Sequence, residues 1–317
     1  MATLNNKLSN AELQELADAL NSKAYQSTTT ADGVIEIDYD AELERLTYLT
    51  SPTYAYLRTK IESSTNSYKV GYRVKEQKTD ASFIAEGAEI PAHDPSIYTR
   101  KSQNMSTLVY PIEISDLAQE GTDIVDLMND EITDGINDIN QRKDKAILQG
   151  SSKDDPNCFD GFTNLFTSNV TDLKKAQITL EDVDALAQSI IDEGGNPTAI
   201  FTTSAVARRL KDLILSKTIY NYQNVQVLGF NVLAYITPAG NQIPIIIDSN
   251  IAPASNGDYL FMVDETSLRI KELMPPTVLD LAKTKLTTSK VIANYMTMYC
   301  RSEHKNGYIT NINPKFE

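Results

Sequence analysis

Hydrophobic and polar positions alternate over residues 68–75, with Tyr68, Val70, Tyr72 and Val74 on one face and Lys69, Gly71, Arg73 and Lys75 on the other. A period of two predicts a strand with one apolar and one basic side. A polar stretch and the segment Ala81-Ser82-Phe83-Ile84-Ala85-Glu86-Gly87-Ala88-Glu89-Ile90-Pro91 follow. The chain then returns through a second extended segment ending in the alternation Leu108, Tyr110, Ile112 and Ile114. Two extended arms around a long excursion predict an elongated two-stranded ribbon. A lone ribbon is marginal in water because nothing covers its apolar face, so it is expected to need a partner surface, with another subunit as the candidate.

The period lengthens over residues 122–149. Ile124, Leu127, Met128, Ile132, Ile136, Ile139, Lys143 and Ile147 fall on one stripe at spacings of three and four. Thr122 or Asp123 starts this helix and Gly150 ends it, for a length of roughly 40 Å. The other face is acidic, with Asp123, Asp126, Asp130, Glu131, Asp134 and Asp138. The bases Arg142, Lys143 and Lys145 come late, as the helix dipole favours.

Residues 176–260 read as an α/β unit. Thr179 and Asp182 make a weak capping box for a helix with the stripe Val183, Leu186, Ala187, Ile190 and Ile191, stopped at Gly194-Gly195. A short strand, Ala199–Thr202, and a helix capped by Ser204 follow, then strands at Val225–Leu228, Asn231–Ile236 and Ile243–Ile247. In the strand-rich end, Asp264–Ser267 between Tyr259–Val263 and Leu268–Ile270 signals a hairpin. Residues 277–301 suggest two strands around Thr287-Thr288, and Asn306-Gly307 signals a tight turn.

The first 60 residues read as an arm. Ser9 or Asn10 caps a short helix with Leu13, Leu16, Ala17 and Leu20, and Val34, Ile35, Ile37 and Tyr39 suggest an extended piece. Residues 42–62 look helical, with Pro52 interrupting them and Tyr54, Tyr56 and Leu57 taken as ordinary packing.

Composition narrows the function. The 317 residues suggest about two domains, and 41% hydrophobic with 23% charged residues excludes wholesale disorder. No apolar run approaches the ~18–20 residues that span a bilayer, and Met1–Lys7 has no apolar signal region, so a cytosolic folding environment is the simplest expectation. A net charge of -14 argues against gripping nucleic acid through its phosphates and suits a protein kept soluble at high local concentration. Nucleotide-loop and nucleophile-elbow motifs are missing. His93 and His304 read as surface residues, Cys158 and Cys300 as inert thiols, and Glu36, Asp38 and Asp40 as a solvated edge more readily than a calcium site. No catalytic residue, cofactor or metal is expected.

The order of these features carries a resemblance. A ribbon with Phe83-Ile84-Ala85-Glu86-Gly87-Ala88-Glu89-Ile90-Pro91 leads to Ile114-Ser115-Asp116-Leu117. A long helix ending Ala146-Ile147-Leu148-Gln149-Gly150 follows, and then Phe159-Asp160-Gly161-Phe162. Over about 61–317 this resembles the tailed-phage major capsid proteins with the Hong Kong 97-type fold. The resemblance implies an α+β fold with an N-terminal arm (1–62), an extended β-hairpin loop with flanking strands (63–111) and a peripheral domain (112–175) with a spine helix over 122–149. An axial α/β domain (176–258) and return strands of the peripheral domain (259–317) complete it.

It also implies a shell protein of the virion, assembled in the host cytoplasm as hexamers and pentamers around double-stranded DNA. Its partners would be itself and portal, scaffold and decoration proteins, with no membrane. Segment 61–111 is neutral, with six acids and six bases, whereas 112–155 carries twelve acids against four bases. The ribbon of one copy is therefore expected on the long helix and adjoining strands of the next. Tyr68, Val70 and Tyr72 would supply dry contacts, the basic edge of Lys69, Arg73 and Lys75 would meet the acidic face of Asp126, Asp130 and Asp134, and Phe83, Ile84, Glu86 and Ile90 are further expected inter-subunit contacts. An encapsulin-like nanocompartment shell is the second reading, and a hydrolase with a metal at Glu36, Asp38 and Asp40 or on the long helix the third.

Overall fold

The computed structural model describes residues 51–76, 81–90, 92, 95–121, 127–217, 225–227, 230–253, 257–283 and 285–315. All belong to the compact unit Thr47–Glu317; the other unit, Met1–Leu46, lies outside the described residues, as do the expected arm helix, Glu36, Asp38, Asp40, His93 and Asp126. The helices are α1 (Pro52–Ile61), α2 (Asp116–Glu120), α3 (Leu127–Gln149), α4 (Phe162–Leu165), α5 (Leu180–Asp192) and α6 (Ser204–Lys217). The strands are β1 (Glu62–Ser64), β2 (Lys69–Glu76), β3 (Ile97–Asn104), β4 (Ser106–Ser115), β5 (Asn169–Asp172), β6 (Ala199–Thr202) and β7 (Val225–Val227). They continue as β8 (Phe230–Val232), β9 (Ala234–Ile236), β10 (Gln242–Ile247), β11 (Asp258–Val263), β12 (Leu268–Asp280), β13 (Thr287–Cys300) and β14 (Gly307–Ile312).

Pro52 begins α1, after a non-helical Ser51; the rest of the expected 42–62 helix, residues 42–50, lies outside the described residues. It sits in the first turn, where its missing N–H costs nothing. Tyr54, Tyr56, Leu57 and Ile61 bury the inner face of α1 in the central core with Ile147, Leu148, Phe162, Phe201, Phe261 and Met298. Residues 52–61, expected in the arm, are thus part of the body.

A four-stranded sheet, ordered β1-β12-β13-β4, lies on α3. Ile112, Ile114 and Ile292 meet Met128 and Ile139, and Tyr110 and Val278 flank them. The close approach requires Gly135, where a Cβ would lie 2.6 Å from the Ile292 Cδ1 and the Tyr110 Cδ1. The α3 stripe is the expected one, except that Ile124 lies outside the described residues.

The six-stranded sheet runs β5-β14-β11-β6-β10-β9, and α5 and α6 bury Val183, Leu186, Ile190, Val206 and Leu210 against it. Thr179 caps α5 as expected: its hydroxyl accepts from Asp182 N at 3.3 Å, and the Asp182 carboxylate accepts from Thr179 N at 2.9 Å. Ser204 is the first residue of α6 rather than its cap; the Thr203 carbonyl accepts from Ala207 N at 3.0 Å.

The hairpin expected at Asp264–Ser267 is corrected. β11 pairs with β6 and β14, whereas β12 pairs with β13 and β1, so Asp264–Ser267 carries the chain from one sheet to the other. Gly307 likewise opens β14 beside β11 and β5, not beside β13. The reason lies in side chains that stitch the two crossings together: Asn306 Oδ1 accepts from Asp264 N at 2.8 Å, and Asn306 Nδ2 donates to Ser267 Oγ at 2.7 Å. The true hairpin is β12–β13, joined over 281–286, so its second strand begins at Thr287. Asp258–Val263 and Gly307–Ile312 therefore share the sheet of β6, across the expected boundary at 258/259.

Candidate functional site

β2 and β3 form a two-stranded ribbon separate from both main sheets. In its antiparallel register Lys69 stands opposite Asn104, Arg73 opposite Arg100, and Lys75 opposite Tyr98. Opposed residues share a face, so Lys69, Arg73, Lys75 and Arg100 form one exposed basic face with no acid among them. Among the described residues no ion pair engages any of the four. Arg100 was missed in the strand pattern because only the pairing register puts it beside Arg73.

The apolar face is partly used by the chain itself. Val70 is 9% exposed and packs with Met105 and Tyr299, whereas Tyr68 is 71% exposed. Tyr72 stacks on Tyr299 with ring centroids 4.8 Å apart. Val70 and Tyr72 therefore cover the ribbon root against its own body. Beyond β2, Phe83, Ile84 and Ile90 are exposed, as is Glu86. Gly87, at φ +78°, shapes the turn there, with Ala88 N donating to the Ala85 carbonyl at 3.0 Å.

On α3, Glu131 and Asp138 are exposed, while Asp130 and Asp134 are half-buried. Burial first, and then Glu131, Asp138 and Asp134, holds the Tyr110 phenol above its ordinary pKa. Part of the acidic face thus looks toward the chain's own sheet.

The C-terminal half of α3 carries two buried polar clusters. Lys143, placed by its spacing on the apolar stripe, is fully buried; its Nζ lies 3.1 Å from Tyr54 OH and 3.2 Å from Glu272 Oε1. Asn294 Nδ2 donates to the same Glu272 oxygen at 2.6 Å, and Tyr54 OH donates to Glu62 Oε1 at 3.4 Å. Burial lowers the Lys143 pKa against the opposing pull of Glu272. Burial alone would raise Glu272, but Lys143 and its hydrogen-bond donors hold it low.

In the second cluster, Asp144 and Asp248 are both fully buried and hydrogen-bonded to each other. Tyr54 N and Asn250 Nδ2 donate to Asp144 at 2.5 and 2.9 Å; Thr53 Oγ1 and Asn250 N donate to Asp248 at 2.6 and 2.8 Å. Burial and the neighbouring Asp248 push Asp144 up to about 9, so one proton is shared at neutral pH. Nothing in the local sequence pairs these two aspartates; the crossing of β10 beside α3 does.

These clusters join elements and do not assemble an acid, a base and a nucleophile around an open space. Among the described residues no group of three His, Cys, Asp or Glu side chains is placed to hold a metal ion. Cys158 and Cys300 are free thiols whose pKa values are raised by burial, Cys300 to about 11. His304 is exposed in a short turn. No helix among the described residues is long and apolar enough to cross a membrane.

A family model described as SU10 major capsid protein matches residues 21–313. The chain belongs to the SU10 major capsid protein family. Solved structures agree on the fold of this major capsid protein. The Cyanophage A-1(L) capsid matches with TM-score 0.69 at 9% identity, covering 90% of this chain and 99% of that one. The capsid of a native GTA particle matches at 0.67 and 12%, covering 90% and 98%. The holo-SrpI encapsulin complex of Synechococcus elongatus matches at 0.65 and 11%, covering 93% and 96%. No curated protein matches the chain. The mixed helix-and-sheet fold is thus the one shared by phage capsids and encapsulins, as the sequence led us to expect.

Proposed function

We propose that copies of this capsid protein close into a shell of pentamers and hexamers around double-stranded DNA. In this reading the β2–β3 ribbon is the extended loop, α3 the spine helix, and the six-stranded sheet with α5 and α6 the axial domain. The ribbon of one copy lies over α3 and the adjoining strands of the next. Its basic face, Lys69, Arg73, Lys75 and Arg100, meets Glu131, Asp138 and the remaining acids of that helix. Phe83, Ile84 and Ile90 supply the dry contacts, joined by Tyr68 nearer the root.

The observation that carries the reading is the exposed tip. Phe83, Ile84 and Ile90 are exposed within one ten-residue segment, whereas most other large apolar side chains among the described residues are buried, Leu117 and Leu286 being among the exceptions. Burying such side chains stabilises by about 1.5–3 kcal/mol each, so a surface that takes them in is strongly favoured. Rim ion pairs add only ~0–1 kcal/mol each and set register more than affinity. Scaffold, portal and decoration proteins are further partners on this reading, and the virion is its location.

Negative-stain microscopy of the expressed full chain tests it. Closed particles, sheets or tubes are expected; a monomer at high concentration with the tip folded onto its own body overturns it. The encapsulin match keeps a cargo-enclosing shell as the second reading, and nuclease-protected DNA inside particles from infected cells distinguishes the two.

A further inference from the structure

The ribbon is tied to the body through a short joint. Glu62, Ser63 and Ser64 of β1 lie parallel to Ile270, Lys271 and Glu272 of β12, Thr65 N donates to the Glu272 carbonyl at 2.9 Å, and the ribbon strand starts at Lys69. So short a ladder has few backbone bonds, and the side chains at its ends weigh heavily on whether it stays closed.

Those side chains are two carboxyls and one ammonium. Glu272 Oε1 is held by Lys143 Nζ at 3.2 Å and Asn294 Nδ2 at 2.6 Å. Glu62 hydrogen-bonds to Glu272 and accepts from Tyr54 OH at 3.4 Å. Its Oε2 is buried without a hydrogen bond, with Arg58 Nε beside it at 3.4 Å as an ion-pair neighbour whose own side chain is largely in solvent. The charged and titratable groups facing Glu62 are thus Tyr54 and Arg58 from α1, Lys143 from α3 and Glu272 from β12. With both carboxyls ionised, one buried ammonium faces two negative charges, and a buried oxygen is left without a donor.

We propose that Glu62, Glu272 and Lys143 form a proton-controlled catch on the root of the ribbon, closed while the two carboxyls share a proton and loosened when both ionise. Protonated Glu62 donates to Glu272, which leaves one carboxylate on one ammonium. Loss of that proton to solvent sets the two carboxylates against each other across the β1–β12 ladder. Burial, then the hydrogen bond and charge of Glu272, push the Glu62 pKa up to about 7 from 4.5. The sign follows: below the ordinary value the group is protonated folded or unfolded. As pH rises from there to about 7 the unfolded chain gives up the proton while the closed joint keeps it. Closure therefore weakens over that window and is weakest above it. The catch belongs to the single chain. A failure to form particles leaves it standing, and a root insensitive to pH leaves the shell reading standing.

Hydrogen–deuterium exchange of the full chain, corrected for intrinsic exchange and read at about pH 5.5 and about pH 8.5, tests it. Protection of residues 63–66 and 270–273 is expected to fall about tenfold or more between the two conditions, while amides of α5 stay unchanged. Glu62→Gln, which donates without titrating, is expected to keep the root protected at both. Glu272→Gln is expected to flatten the response as well and serves if the first variant fails to fold. An unchanged root in the native chain, or a pH response in Glu62→Gln equal to the native one, overturns the proposal.

Discussion

Arg73 and Arg100 stand directly opposite each other on the ribbon, with Lys69 and Lys75 on the same face and no acid among them. Like charges directly opposed oppose pairing, where a complementary pair contributes roughly 0.2–1 kcal/mol. Arg100→Glu replaces the repulsion by a complementary pair. It is expected to raise the melting temperature of the unassembled chain slightly and to lower particle yield, as read by sedimentation. Yield at or above that of the native chain would count against an acidic partner surface.

Tip and root of the ribbon are expected to separate in mutagenesis. Phe83 is exposed, so Phe83→Ser should leave the stability of the unassembled chain within about 0.5 kcal/mol and sharply reduce assembly. Tyr72 stacks on Tyr299, an interaction of about 0.5–1.5 kcal/mol beyond buried area, so Tyr72→Ala should lower the denaturation midpoint of the unassembled chain itself. A Phe83→Ser chain that assembles normally would remove the tip from the interface.

Gly135 sets two effects against each other. In a helix interior Ala is better than Gly by about 1 kcal/mol. Here the added methyl meets Ile292 and Tyr110 at 2.6 Å, and both belong to the packed face of the sheet on α3. Overpacking of this kind costs about 1–3 kcal/mol, so Gly135→Ala is expected to destabilise on balance. A denaturant midpoint equal to or above the native one would show that the sheet yields.

What was legible in the sequence was periodicity. The alternation of β2 and β4 and the stripe of α3 follow from local burial, and the capping box at Thr179 from chemistry three residues apart. What was not legible was partner choice. Asp264–Ser267 has the residues of a hairpin turn, yet Asn306, distant in sequence, binds it into a crossing between sheets. That Tyr54, Tyr56 and Leu57 would enter the central core with α1 was not legible either, because it depends on strands and helices far along the chain. Lys143 fell on the apolar stripe without any sign that Glu272 and Tyr54 would be waiting for it. At the candidate interface, the basic residues of β2 were visible, but Arg100 required the register.

Asp144 and Asp248 predict an alkaline weakness. The folded-state pKa of Asp144, raised by burial and by Asp248 to about 9, lies far above the ordinary 3.8. The folded chain therefore holds a proton that the unfolded chain releases, and this pair's contribution to stability declines as pH climbs through that range. Asp144→Asn, which cannot ionise, should flatten the decline between about pH 7 and about pH 9 in denaturant titrations. Asp248→Ala instead strands the Thr53 hydroxyl and the Asn250 N–H, and each buried donor left unmet costs about 1–3 kcal/mol. A slope in Asp144→Asn equal to the native slope would show that the alkaline loss arises elsewhere.

Lys143 gives the sharpest test of what a buried ion contributes. Met matches its stem, so Lys143→Met removes little packing, but it leaves the Glu272 carboxylate with no buried cation, held only by its hydrogen bonds from Asn294 and Glu62. Breaking a buried pair by removing one partner costs about 3–5 kcal/mol, whereas replacing both partners by neutral groups is often nearly neutral. Lys143→Met combined with Glu272→Gln should therefore recover a large part of the loss, because the new side-chain amide keeps an oxygen for Asn294 and a donor for Glu62. The coupling should exceed about 1 kcal/mol in a double-mutant cycle. Lys143→Met alone should also lose less at acid pH, where Glu272 takes up a proton. Additive losses at all pH values would mean that Lys143 serves by shape, and that its charge matters little to the joint beneath the ribbon.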